Sequence, residues 1–264
     1  MMLTVKKAVR MVSDAFFSAA YKKECSVCAK KVKNFEPLSS YYKNQAALYN
    51  FPFSADEAET LNYKEYTCPY CGASDRDRLY ALYIQQNTNP EKQYKLLDIA
   101  PAPALRNFLK RKNNITYRSA DLLQNDVDDT GVDIMNMKIY ADKSFDIFIC
   151  SHVLEHVESD IQAMRELNRI LTDKGFGIAM VPIILTVNII DEDPGLTDDS
   201  ERWRRFGQQD HVRLYSKNGF TERLEKSGFK VNEYNIEYFG SEKFKKFGID
   251  NKSVLYIVTK LSND

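Results

Sequence analysis

The chain lacks a net charge of either sign. Lys and Arg total 37 and Asp and Glu total 37 over 264 residues, so a grip on nucleic acid or anionic membrane through overall charge is excluded, while a local basic patch stays open. It also lacks an uninterrupted apolar run of transmembrane length, and no membrane insertion is expected. Its cysteines number five, which cannot form a fully paired disulfide framework unless one pairs between chains. Histidine is scarce, at three residues, and there are no internal repeats or low-complexity tracts. What is present, 44% hydrophobic and 28% charged residues, excludes a disordered chain and suffices for one large or two modest domains with an ample core.

The zero charge is a sum of unlike regions. Residues 1–33 hold eight bases against two acids, and residues 191–201 hold six acids and no base. At the start, Val5, Val9, Val12 and Phe16 recur at helical spacing, and Asp14 interrupts the apolar run. This predicts a short amphipathic helix over 1–20 that packs on the protein's own body or on a second subunit. Cytoplasm, where thiols stay reduced, is the default compartment.

Residues 21–75 hold four of the five cysteines. Ser74 and Asp77 predict a capping box for the helix that follows, and Asn87-Thr88-Asn89-Pro90 ends it. The expected boundary falls near here, with residues 1–90 an N-terminal helix and metal-binding module and 91–264 a second domain. From residue 94 strands and helices alternate: strands at 94–100, 115–122, around Asp133, 145–150, 175–183, 229–236 and 254–260, with helices at 104–112, from Ser159 to Leu171, and at 218–227. That alternation predicts a doubly wound α/β fold.

Cys25-x-x-Cys28 and Cys68-x-x-Cys71 read as two metal-binding knuckles. Two such pairs facing each other make a closed four-sulfur site that suits a structural zinc. Pro69 and Gly72 are turn residues a knuckle favours, and nearby lysines offset thiolate charge. The span from 29 to 67 is longer than a compact zinc ribbon needs, so an insertion must be accommodated. Cys150 ends an apolar strand and is read as core.

A doubly wound sheet binds its ligand at the carboxyl ends of its strands. Asp98 lies near the end of the first strand and Asp121 ends the second, where an acid can take both ribose hydroxyls of an adenosine cofactor. Asp133-Ile134 follows the third strand, where an acid can take the adenine amino group. Ser151-His152 follows the fourth and opens a loop beneath the cofactor. Each acid alone has a plainer reading as a cap or turn former; their joint spacing favours a site.

The segments SFDIFICSHVLEHVESD, AMRELNRILTDKGFGIAMVP and FGQQDHVRLYSKNGFTERLEKSGF resemble the class I S-adenosylmethionine-dependent methyltransferases, over about residues 94–260. CPYCGASDRDRLYALYI before LLDIAPAPAL resembles a bacterial subgroup with a zinc-binding N-terminal region, often associated with modification of surface polysaccharides or other small molecules. The resemblance implies a Rossmann-like seven-stranded sheet and S-adenosylmethionine held by Asp98, Ala100, Pro101, Asp121, Leu122, Asp133, Ile134, Ser151 and His152. One departure is clear. Where the family has a glycine-rich turn after the first strand, this chain has Ala100-Pro101-Ala102-Pro103-Ala104; the prolines stiffen the turn and remove two backbone donors, and the small alanines leave room. Cofactor binding is then either kept with altered geometry or weakened.

All three histidines fall in the resembling segments. His152 and His156, four apart, share one face if the helix has begun, but a metal pair there has no evident third ligand. His156 is read as a packing or capping residue. His211 is the first candidate for the base that takes an acceptor's proton, and His152 the second. The long connection 184–216 suggests a lid or binding loop, with Trp203, Arg204, Arg205 and Phe206 as contacts to a sugar or anion and the acids of 191–201 as their alternative partners. The leading expectation is methyl transfer to a small-molecule or glycan acceptor, at a hydroxyl. The alternatives are an RNA methyltransferase gripping its acceptor with the zinc module, and a non-catalytic cofactor-binding partner subunit.

Overall fold

A computed structural model describes residues 23–261; the helix expected over 1–20 lies outside them. The N-terminal part opens with a two-stranded antiparallel hairpin, β1 (Lys23–Glu24) and β2 (Lys31–Val32), followed by α1 (Ser40–Leu48), a turn of 3-10 helix at Ala55–Glu57 and α2 (Asp75–Asn87). The capping box at the head of α2 is present: the Ser74 side chain accepts from the Asp77 amide and Asp77 accepts from the Ser74 amide. Residues 77 to 84 of α2 are all buried, which places this helix inside the molecule rather than on its rim.

Seven strands then form one sheet: β3 (Tyr94–Ile99), β4 (Ile115–Asp121), β5 (Asp129–Thr130), β6 (Phe145–Ser151), β7 (Leu171–Met180), β10 (Phe229–Tyr234) and β11 (Leu255–Lys260). Their order is β10-β11-β7-β6-β3-β4-β5. Strands β3 to β7 are parallel, and β11 runs antiparallel to both β7 and β10. The expected strands are present with shifted ends. The third is at Asp129–Thr130, four residues before Asp133, because the Asp133 carboxylate is used in a turn, accepting from the Met135 amide at 2.8 Å.

The helices α3 (Pro103–Lys110), α4 (Asp160–Ile170) and α6 (Lys217–Lys226) follow β3, β6 and the connection after β7. The stripe Ala163, Met164, Leu167 and Ile170 faces inward on α4. Leu171, expected as the helix's last apolar residue, is instead its C-cap and the first residue of β7. Gly177 of β7 lies opposite Phe148 of β6, and a Cβ there would sit 2.0 Å from the Phe148 ring; only glycine lets the two strands close over that side chain.

The connection 184–216 is built, not open: β8 (Asp191–Glu192) pairs with β9 (Arg213–Leu214), and α5 (Asp199–Phe206) lies between them. Ile184, Phe206 and Leu214 form a small second core with Phe51, Phe53 and Ala58. Trp203 is buried and stacks on Tyr49, ring centroids 5.8 Å apart. The insertion between the cysteine pairs and the long connection therefore cover each other. Arg205 pairs with Asp191 and Asp193, and Arg204 with Glu201, so the arginines are taken by their acidic neighbours and Trp203 and Phe206 by packing. The short helices α7 (Ile236–Phe239) and α8 (Ser241–Phe247) precede β11. One continuous hydrophobic core joins Cys25, Val27 and Phe35 to the sheet.

Candidate cofactor site and cysteine cluster

The two cysteine knuckles have the same backbone. The Ala29 amide donates to the Cys25 carbonyl and the Gly72 amide to the Cys68 carbonyl; the Cys25 amide donates to Lys30 and the Cys68 amide to Ala73. The residue after each second cysteine is left-handed, Ala29 at φ +57° and Gly72 at φ +75°. The knuckles face each other with Sγ separations of 3.8 Å for Cys25–Cys71 and 3.9 Å for Cys28–Cys68. A tetrahedral zinc with bonds of about 2.3 Å needs sulfurs about 3.8 Å apart, so the four side chains fit that ion. Contact with Cys71 and then burial push the Cys25 thiol up, while the same contact brings the Cys71 thiol down to about 5.

Arg78 ties this cluster to the rest. It is fully buried and donates to five backbone carbonyls, those of Glu65, Tyr66, Ala73, Phe247 and Gly248. Its guanidinium lies over the Phe35 ring at 3.7 Å. The second knuckle and the end of α8 are thus joined through one side chain of α2.

Beside the same first turns of α2, where Arg76 and Tyr80 reach His152 and Ser151, the sheet changes direction. β3 and β6 are neighbours whose next strands lie on opposite sides, β4 beyond β3 and β7 beyond β6, which makes the crevice at their carboxyl ends the switch point where a ligand binds. The backbone is unusual there. Ala100, just past β3, has φ +52°, and His152, just past β6, has φ +57°; strain of this kind concentrates at functional sites. Ala100 takes the conformation that a glycine would take at no cost. Pro101 is buried, Ala102 is the N-cap of α3, and Pro103 is its first residue. Proline at that position removes a donor that the helix does not use. No side chain caps α3, so its first amides, at Ala104 and Leu105, remain for another acceptor.

Asp98 is buried near the end of β3 and accepts from the Tyr117 hydroxyl at 2.9 Å. Burial pushes its carboxyl up to about 7, against the Tyr117 bond, which lowers it. Asp121 ends β4; its Oδ1 accepts from the amides of Leu123 and Gln124 at 2.7 and 2.8 Å, and its Oδ2 from the Gln124 side chain at 2.9 Å. Leu122 beside it is exposed, and Ile134 is buried next to the half-buried Asp133. Ser151 ends β6 with its hydroxyl 2.8 Å from that of Tyr80. The amide of His152 donates to Met180 at 2.8 Å. Its Nε2 lies 2.5 Å from the Arg76 guanidinium and its Nδ1 3.2 Å from Glu155, and burial, then Arg76, bring it down to about 4. It is neutral near pH 7.

Residues 152–158 are a loop of turns and α4 begins only at Asp160, so His152 and His156 do not share a helix face. Arg213 organises the loop. It is buried and donates to the carbonyls of Leu154, Val157 and Glu158, while the Val212 amide donates to Glu155. His211, 3% exposed, is thereby carried to the same place: its ring packs edge-on against His156 with centroids 4.8 Å apart. Sequence reasoning missed Arg76, Arg78, Glu155 and Arg213. Glu155 had a signal, lying between two histidines in HVLEH; the arginines had none, since burial of a charged side chain depends on carbonyls distant in sequence.

The carboxyl ends of the parallel strands β3 and β4, each with a carboxylate, and the strained turn leading into α3 form the crevice where a doubly wound sheet takes a ligand. Residues 79–179 match the model of a family described as a methyltransferase domain, and the seven-stranded order is that of the class I enzymes. Residues 79–179 thus carry a methyltransferase domain, of the S-adenosylmethionine-dependent class I kind. No curated protein matches the sequence. Among solved structures it is similar to the CurJ carbon methyltransferase, at 14% identity over 70% of this chain and 52% of that one, TM-score 0.44. It is also similar to the [4+2]-cyclase SpnF, at 14% over 86% and 98%, TM-score 0.46. A third is the 1,6-didemethyltoxoflavin-N1-methyltransferase of Burkholderia thailandensis, at 10% over 69% and 76%, TM-score 0.46. The chain spans about half the length of the first of these. Among the described residues no helix is long and apolar enough to cross a membrane.

Proposed function

We propose that the chain methylates a hydroxyl of a small-molecule or glycan acceptor, using S-adenosylmethionine held at the carboxyl ends of β3, β4 and β6, with one structural zinc in the cysteine cluster. The observation that carries this reading is the pair Asp98 and Asp121 at the ends of neighbouring parallel strands, flanking a helix whose first amides have no cap. In it Asp121 takes the ribose hydroxyls by exchanging the Gln124 amide for them, and Leu122 covers one face of the adenine. Asp133 takes the adenine amino group and Ile134 packs beneath it. Ala100 and Pro101 line the methionine part, and Ser151 and His152 form the floor.

The bound cofactor supplies a methyl on a sulfonium, already activated for in-line displacement. The chain's own work is alignment, exclusion of water and removal of one proton. His152 and His211 are the candidate acceptors of that proton. Exposure favours His152, whose side chain is 23% exposed, over His211, which is 3% exposed. The four free cysteines of the cluster suit a reducing compartment, the cytoplasm. Residues up to about 90 act in this reading as a zinc-stabilised clamp behind the catalytic sheet.

One observation favours RNA as the acceptor instead. Lys30, Lys31 and Lys33 are exposed around the first knuckle, and Lys30 lies 4.8 Å above the ring of the exposed Tyr70, a cation-and-aromatic pair of the sort single strands bind. Radiolabelled methyl transfer from S-adenosylmethionine to fractionated cell extract tests the proposal. Label in a small-molecule or glycan fraction supports it, label in RNA favours the second reading, and no label in any fraction sinks both and leaves a non-catalytic subunit.

A further inference from the structure

The three histidines of the chain and one glutamate converge behind the floor of the crevice, and the arrangement is short of hydrogen-bond donors. Glu155 is 0% exposed; the His152 Nδ1 approaches its Oε1 at 3.2 Å, but neither carboxylate oxygen receives a well-directed hydrogen bond. A carboxylate at that depth with no directed hydrogen bond is costly unless a cation answers it. The His156 ring presents Nε2 to Glu155 Oε1 at 3.9 Å, while its Nδ1 lies 3.1 Å from the Asp210 carbonyl. The His211 Nδ1 lies 3.2 Å from the Phe206 carbonyl. A carbonyl can only accept, so both rings carry their proton on Nδ1 and present the Nε2 lone pair. This is the orientation that metal-ligating imidazoles take, with the outer nitrogen donating to a backbone carbonyl.

We propose that Glu155, His156 and His211 bind a divalent first-row cation, separate from the cysteine cluster. One ligand atom from each residue lies within 4.8 Å of the other two. Bonds of about 2.0–2.2 Å place tetrahedral ligands roughly 3.3 to 3.6 Å apart, so closure takes a side-chain adjustment of about 1 Å. Two imidazoles and one carboxylate suit zinc, iron(II), manganese or cobalt and leave coordination positions open. His152 is not a ligand, because its ring faces the Arg76 guanidinium. Arg213, through its three bonds to the 154–158 carbonyls, and the Val212 amide, through Glu155's own carbonyl, hold the two ligand-bearing loops together, so the site is preorganised by buried residues. An open position next to the loop that begins with His152 would take an acceptor hydroxyl and lower its pKa; that last step rests on the methyl-transfer reading, and the site itself does not.

Full-length protein, equilibrated with cobalt(II) and passed through a desalting column, is assayed by elemental analysis and visible absorption. The wild type is expected to hold two metal ions per chain, one showing thiolate charge-transfer absorption or remaining zinc, the other cobalt with nitrogen and oxygen ligands only. His156→Ala, a partly exposed position, and Glu155→Gln are each expected to hold one, the thiolate-bound ion, with cobalt affinity at the second site down at least tenfold and the fold intact by circular dichroism. Asp210→Ala keeps two. One ion per chain in the wild type overturns the proposal, and so do two ions in His156→Ala or Glu155→Gln. Since metal content is read without turnover, a protein that binds both ions yet transfers no methyl group sinks the methyl-transfer reading alone.

Discussion

The Tyr117 hydroxyl donates to Asp98 Oδ2 across 2.9 Å, which joins β4 to the carboxyl end of β3 through a carboxyl that burial holds near pH 7. The folded carboxyl titrates above its unfolded range near 3.8. Between those values the folded protein keeps a proton that the unfolded chain has released. The stability linked to Asp98 is therefore complete below about pH 4 and is lost as pH rises through 7. Asp98→Asn has no such loss. Its stability relative to wild type should improve by roughly 2–4 kcal/mol from pH 4 to pH 8. Urea melts at both pH values check this; a difference independent of pH contradicts it.

Arg78 should be the most sensitive single position in the N-terminal half. Replacing it with Met removes the donor to five carbonyls in a place water does not reach. Several orphaned carbonyls at about 1–3 kcal/mol each, partly relieved by relaxation, predict a loss of at least about 3 kcal/mol. Chemical denaturation of Arg78→Met measures it, and a loss under about 1 kcal/mol rejects the stapling role.

The cysteine cluster should hold one zinc. Chelation is expected to release hydrogen-exchange protection at Cys25–Lys30 and Cys68–Ala73 first, because those amides close the knuckles. Acid should release the ion as well, since binding requires the thiols to lose their protons. Cys68→Ser that keeps a full zinc complement contradicts the assignment.

The turn after β3 makes an opposite-signed pair of predictions. Ala100→Gly relieves about 1–2 kcal/mol of left-handed strain and adds about 0.5–1 kcal/mol of chain entropy cost, so stability stays the same or rises slightly. Ala100→Val places a β-branched residue at φ +52° and should cost more than about 1 kcal/mol and weaken cofactor binding. Thermal melts and S-adenosylhomocysteine titration separate the two.

Much of this fold is legible in the residues. Capping at Ser74, the inward stripe of α4 and the apolar run of β6 are local signals, and each element formed where its own pattern placed it. The cysteine spacing carried the knuckles for the same reason. The third strand was misplaced because Asp133 reads equally as a strand end or a turn, and only its bond to the Met135 amide decides. The proline turn, read from sequence as the loss of two donors, loses one of consequence, since Pro103 falls on the first residue of α3. The roles of Trp203 and Arg205 were not legible: both depend on partners, Tyr49 and Asp191, that only the folded connection brings near. The meeting of His211 with Glu155 and His156 depends likewise on Arg213 pulling two distant loops together.

The central claim, a cofactor site at the ends of β3 and β4, is tested most directly by calorimetric titration of S-adenosylhomocysteine into wild-type protein and Asp121→Ala. The account predicts saturable binding of one ligand per chain to the wild type and at least a tenfold weaker affinity, about 1.4 kcal/mol or more, for the variant. No binding to folded, zinc-loaded wild type, or an unchanged affinity in Asp121→Ala, would contradict it.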